Sequence, residues 1–251
     1  MVAGEAATHA DLRAAFERGD HDEVLRLSEA ILAERPGDDA AHELRAGALL
    51  ATGQLAEAER HAADAVRLDP DEVRYRELLA NVLAERGAHR DAAIEFGWLA
   101  RNDPRQIAWS VAEAAERLDA EEAGRGIEAA RRAARLDPGN ATAQLALARG
   151  LTLLGDARGA LAAAQRAVEL APDDPANREA LADALWLTGR EAPAFARFLA
   201  LLPGLAGRDR ARVMAKARAL YRQQAGPLGR LVATFEPVFR FGLRLGWIGI
   251  R

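Results

Sequence analysis

Five prolines, Pro36, Pro70, Pro104, Pro138 and Pro172, stand 34 residues apart without a slip. Glycines keep the same period at Gly19, Gly53, Gly87, Gly155 and Gly189, interrupted only where Glu121 stands. Two residue types that turn or end helices, held in one register, point to a stacked repeat, each period being a supersecondary unit that cannot bury its apolar face alone. Length therefore says little about domain count, and the 251 residues are expected to form one continuous body.

Half of the residues are hydrophobic but only 5% are aromatic, so the interior has to be filled by Ala and Leu, which suits close helix-on-helix packing. Each period reads as helix, Gly turn, helix, Pro turn. In residues 39–72, AAHELRAGALLAT precedes Gly53 and QLAEAERHAADAVRLD precedes Pro70. Glycine ends the first helix by admitting a left-handed backbone, and proline ends the second because it cannot continue a helix interior. Asp39, Asp71, Asn140 and Asp174 follow the Pro turns and are expected to cap the next helix. Small residues recur where the helices of a unit must approach closely, at Ala58, Ala92, Ala160 and Ala194 and again at Ala65, Ala133 and Ala167. The fourth period lacks its glycine and carries Gly124 and Gly126 instead, which predicts a turn displaced a few residues later. A lone GxG with no strand before it does not make a phosphate loop.

With this unit, this turn and these paired small residues, the chain resembles the tetratricopeptide repeat family over residues 5–208. The resemblance implies an all-α fold, a right-handed α-solenoid of six helix pairs at 5–38, 39–72, 73–106, 107–140, 141–174 and 175–208. Near the start of the first helices the family's large residues are replaced by His42, Arg76, Ser110 and Gln144. The next proline on the period would fall at Ala206, whereas Pro203 comes early, so the array ends there. Residues 209–224 place Val213, Met214, Ala217, Leu220 and Tyr221 on one helical face, with Arg212, Lys216, Arg218 and Arg222 elsewhere, as expected of a capping helix with a polar outer side.

In the family the first helices line a concave surface that takes peptides. Carried over position by position, that lining comprises Leu44, Gly47, Leu50, Arg74, Glu77, Asn81, Val111, Leu118, Leu145, Arg149, Thr152, Glu179, Asp183 and Trp186. The mixture of apolar patches and isolated charges suits an amphipathic or apolar segment of a partner protein, with Trp186 either an anchor for it or packed on the capping helix. Trp98 and Trp109 sit at a repeat junction among apolar neighbours and are assigned to the core.

Residues 204–251 hold ten basic residues, including Lys216, the only lysine, against two acids. That is a net of +8, which leaves −12 for the residues before them in a chain of net −4. The end of this segment, 225–251, also carries aromatics and arginines at Arg230, Phe235, Phe239, Arg240, Phe241, Arg244 and Trp247. From Phe239 apolar residues fall at every second position, a strand period, and Gly242, Gly246 and Gly249 disfavour helix. Three readings of this tail stay open: docking on its own array, contact with a separate protein or a second copy of the chain, and an anionic membrane surface.

The exclusions are broad. There is no cysteine, hence no disulfide, thiolate metal site or thiol nucleophile. Five histidines, His9, His21, His42, His61 and His89, form neither an HExxH nor an i, i+4 pair, so no metal site is expected. Ser28 and Ser110 are the only serines, neither in a nucleophile elbow, and residues outside the array leave no room for a catalytic domain. No cofactor is expected. Acids outnumber bases and the arginines are scattered, which argues against nucleic acid; their preference over lysine fits the codon usage of a GC-rich bacterial genome. The first residues show no basic stretch followed by an apolar core, and no run is long enough to span a membrane. The expectation is thus a cytoplasmic, non-enzymatic scaffold or adaptor that holds a protein segment in its groove. The alternative is an assembly factor placed peripherally at the membrane by its tail.

Overall fold

The computed structural model describes residues 8–224 together with Thr234 and Phe239. Where the unbroken ladder leads one to expect a single body, the chain divides into two compact units, Met1–Glu122 and Ala123–Arg251. The first holds α1 (His9–Glu17), α2 (His21–Glu34), α3 (Asp39–Ala51), α4 (Leu55–Leu68), α5 (Val73–Glu85), α6 (His89–Asn102) and α7 (Ile107–Asp119). The second holds α8 (Ala123–Leu136), α9 (Ala141–Leu153), α10 (Ala157–Leu170), α11 (Pro175–Leu187), α12 (Glu191–Leu201) and, after a 3-10 turn at Leu202–Gly204, α13 (Gly207–Gln224). No strand occurs among the described residues, and the fold class is the expected one, all-α helix pairs of the solenoid class.

The glycine ladder does what the sequence requires of it. Gly19, Gly53, Gly87, Gly155 and Gly189 all take left-handed φ angles of 71° to 80°. After α3, the Gly53 amide donates to Leu50 O at 3.0 Å and the Gln54 amide to Leu49 O at 2.8 Å, the paired bonds of a Schellman turn. The fourth period corrects the expectation of a displaced turn. Glu121 itself adopts φ 62°, donating to Leu118 O at 3.0 Å, while the Glu122 amide donates to Arg117 O at 2.8 Å. Gly124 and Gly126 lie inside α8. The six-residue hydrogen-bond pattern holds the turn in register even though the residue at its left-handed position carries a Cβ, at a steric cost.

The caps also shift slightly. Asn140 and Asp174 cap α9 and α11 as expected, but α3 is capped by Asp38 rather than Asp39 and α5 by Glu72 rather than Asp71. The starting residue decides this, since the side chain must reach the amide two or three positions on. Asp38 accepts from the Ala41 amide at 3.0 Å and from His9 Nε2 at 2.8 Å.

Consecutive helices pack against one another within each unit, and first helices also touch: α1 with α3, α3 with α5, α9 with α11. Ala58, Ala92, Ala160, Ala194, Ala65, Ala133 and Ala167 are all fully buried, so the small residues sit at the close approaches. Trp109 is buried in the first unit's core and Trp98 packs on it half-buried. In the second unit α13 buries Val213, Met214, Ala217 and Leu220.

Phe239 departs from the strand reading of the tail. Its backbone is helical, as is that of Thr234, and its ring is fully buried, 5.4 Å from the Tyr221 ring, which in turn stacks on Phe195 at 6.0 Å. A two-residue apolar period is a short-range signal, and an aromatic slot in the second unit's core overrides it.

Candidate binding site

The site builds up from helical periodicity. On α9, Leu145 and Arg149 are four residues apart; on α11, Ala176, Glu179, Ala180 and Asp183 follow the i, i+3, i+4, i+7 stripe; on α13, Arg212 and Lys216 are again four apart. These three stripes line one cavity of about 370 Å³ in the second unit. Ala176, Ala180 and Leu145 supply its apolar lining, and Arg149, Glu179, Asp183, Arg212 and Lys216 supply charges of both signs.

Arg212 grips Glu179 with two donors, Nε to Oε1 at 3.0 Å and Nη2 to Oε2 at 2.8 Å, and its Nη1 reaches Asp209 at 2.7 Å. The Lys216 ammonium bridges both carboxylates of α11, donating to Glu179 Oε1 at 2.8 Å and Asp183 Oδ2 at 2.6 Å. The two acids respond in opposite directions. Burial pushes the Glu179 carboxyl up, but hydrogen bonds from Arg212 and Lys216 together outweigh it and leave the group below the ordinary carboxylate range. Asp183 is raised, because its burial exceeds what the single Lys216 contact returns. The Arg212 guanidinium is raised, first by its hydrogen bonds to Glu179.

Of the residues carried over from the family pattern, the structure brings Leu145, Arg149, Glu179 and Asp183 into this one cavity. Trp186 lies one turn further along α11, where its indole N–H donates to Gln223 Oε1 of α13 at 3.2 Å and its ring meets Phe198 edge-on at 6.2 Å. The positions in the first unit are largely occupied by its own contacts. Leu44 and Leu118 are core residues, and Leu50 packs against Leu49, Ala58 and Val82. Gly47 faces the Phe16 ring so closely that a Cβ would stand 2.8 Å from it. Arg74 is exposed and pairs with Glu72 at 3.1 Å and Glu43 at 3.6 Å, and Glu77 accepts from the Trp109 indole at 3.1 Å. Asn81 is exposed and Val111 half-buried. The Thr152 hydroxyl donates to Ala148 O at 2.9 Å. Of the tail residues, Arg230, Phe235, Arg240, Phe241, Arg244 and Trp247 lie outside the described residues.

Sequence reasoning missed Arg212 and Lys216, which it assigned to a polar outer face. Continuing the period from Glu179 and Asp183 leads to Val213 and Ala217, both buried, whereas the cations that meet these acids stand one residue earlier, at Arg212 and Lys216. The i, i+4 spacing of two cations opposite two acids was the available signal. A second missed group lies in the first unit: His42, His61 and Asp64 present their ligand atoms within 4.8 Å of one another, a set able to hold a metal ion.

Residues 15–95 match the tetratricopeptide repeat family. No curated protein matches the chain by sequence. Among solved structures, a tetratricopeptide repeat protein from Parabacteroides merdae superposes with a TM-score of 0.72 at 14% identity, covering 94% of this chain and 91% of that one. The C-terminal part of a repeat-containing protein from Cytophaga hutchinsonii gives 0.65 at 12% identity, with 84% and 85% covered. MamA from Desulfovibrio magneticus gives 0.58 at 18% identity over 65% of this chain and 92% of its own.

Proposed function

We propose that this chain, a tetratricopeptide repeat protein by its matching segment and its fold, is a non-enzymatic scaffold that seats an amphipathic segment of a partner protein on the first-helix face of its second unit. The observation that carries this reading is the convergence of Leu145, Arg149, Glu179, Asp183, Arg212 and Lys216 on one cavity. An apolar side chain of the partner would enter against Leu145, Ala176 and Ala180, while the exposed Arg149 and the paired charges of α11 and α13 select the polar positions flanking it. Trp186 extends the same face, with its indole edge already fixed by Gln223. A surface held rigid by ion pairs loses little freedom on binding, which favours a defined ligand over a promiscuous one.

The alternative of membrane recruitment through the aromatic tail loses one of its residues. Phe239 is fully buried in the second unit and cannot insert at an interface.

Selection of displayed peptides on the intact chain tests the proposal. Recovered segments should be amphipathic, and their affinity should fall about tenfold or more in Leu145→Asp and Arg149→Glu while Asn81→Ala leaves it unchanged. Ligands that bind both cavity variants as tightly as the parent chain would overturn it.

A further inference from the structure

The first unit contains a polar cluster that the scaffold function does not use. His42 on α3 and His61 on α4 are buried, with their Nδ1 atoms 2.8 Å apart, and Asp64 lies one turn along α4 on the same face. The repeat supplies its own comparison, because 34 residues further on the same three positions hold Arg76, Glu95 and Trp98. There Arg76 Nε donates to Pro70 O at 2.7 Å, its Nη1 reaches Glu95 at 2.7 Å, and its guanidinium lies 4.2 Å from the Trp98 ring centre. His42 repeats the first of these bonds, with Nε2 at 3.1 Å from Pro36 O. The fold therefore provides a polar slot between the Pro turn and the second helix, and in one repeat all three of its positions carry metal-ligating side chains.

We infer that His42 Nδ1, His61 Nδ1 and the Asp64 carboxylate form a site for a divalent transition-metal ion, with zinc the best suited to two imidazoles and a carboxylate. The hydrogen bonds fix the protons. His42 Nε2 faces a carbonyl and must carry a proton, which leaves the Nδ1 lone pair aimed at His61. His61 Nε2 accepts from Arg45 Nε at 3.2 Å, so its proton is on Nδ1 and points at His42. Each ring thus holds one proton and keeps one nitrogen for a ligand, as metal ligation requires.

On binding, the cation takes the place of the proton between the two Nδ1 atoms. That proton moves to His61 Nε2, and Arg45 Nε gives up this nitrogen while its Nη1 keeps Leu25 O at 2.7 Å and Ser28 Oγ at 3.2 Å. No proton is gained or lost overall. Metal–nitrogen bonds of about 2.0–2.1 Å in tetrahedral geometry need the nitrogens about 3.4 Å apart, a small opening from the present contact. Asp64 closes the third position by turning from Arg67, its exposed partner at 3.0 Å, and water completes the shell. The Pro36 carbonyl orients the His42 ring from outside, the arrangement that metal-bound histidines use. Arg45, Arg60 and Arg67 are cations around the site, and with one carboxylate against them the affinity is expected in the micromolar range.

Calorimetric titration of the chelator-treated full chain with zinc chloride tests this. One zinc per chain is expected, with a melting temperature that rises with free zinc. Asp64→Asn should weaken binding by roughly tenfold or more and His61→Ala by roughly 100-fold or more. Because removing a buried imidazole can unfold the repeat, the double variant His42→Arg/His61→Glu installs the ion pair of the next repeat. It should keep the metal-free melting temperature and bind no zinc. Millimolar or weaker affinity in the parent chain overturns the inference. So does undiminished binding in the double variant, which would place the ion on His9, His21 or His89.

Discussion

Replacing Glu121 by glycine should stabilise the protein, and the magnitude follows from the turn it occupies. The φ of 62° puts a Cβ residue in the left-handed region, which costs about 1–2 kcal/mol for an L side chain. Glycine removes that cost but loses about 0.5–1 kcal/mol more chain entropy on folding. The two Schellman bonds use backbone atoms only, and the side chain is exposed, so neither changes with the substitution. The net expectation for Glu121→Gly is a gain of about 0.5–1 kcal/mol, which for a chain of this length shifts the melting midpoint up by about 1–4 °C. The reverse substitution supplies the control. Gly87 has φ 80°, and a Cβ added there would meet no atom within 4 Å, so Gly87→Ala should lose about 1 kcal/mol through backbone strain alone. Thermal melts followed by circular dichroism, with urea titration as a second measure, read both. If Glu121→Gly melts at or below the parent while Gly87→Ala leaves it unchanged, the left-handed position is not what limits these turns.

Two further perturbations address the second unit. Glu179 has a folded pKa below its unfolded value, so its pairing with Arg212 and Lys216 stabilises fully above the ordinary carboxylate range and is lost as pH falls through the depressed folded value. Asp183, raised, works in the opposite sense and regains stability on protonation. Melting should therefore fall below about pH 4.5, and Glu179→Gln should flatten that fall; an unchanged pH slope would refute the assignment. Phe239→Ala removes a fully buried ring from Tyr221 and should cost about 3–5 kcal/mol, measured by urea unfolding, whereas a loss under about 1 kcal/mol would show that the ring is not part of the core.

Much of the candidate site was within reach of the sequence because helical spacing is local. Leu145 with Arg149 and Glu179 with Asp183 are i, i+4 pairs on first helices, and the period alone aligns them. Arg212 and Lys216 were hidden because they stand one residue before the continued period, which no repeat to the N-terminal side of α13 could announce. The His42–His61 contact was hidden for a related reason: 19 residues separate them, and only the packing of α3 on α4 turns both rings into one slot. The two-residue period around Phe239 misplaces it, since its environment is set by Phe195 and Tyr221.

The sequence by itself determined the helix pairs, the positions of the five glycine turns and the buried alanines, because each depends on backbone torsions and side-chain sizes that repeat every 34 residues. Only the tertiary structure decided how charge is neutralised between α11 and α13, that Glu121 carries a glycine's conformation, and which imidazoles meet. These depend on side-chain directions across helices, where a shift of one residue turns a side chain by about 100° and exchanges a solvated face for a buried one.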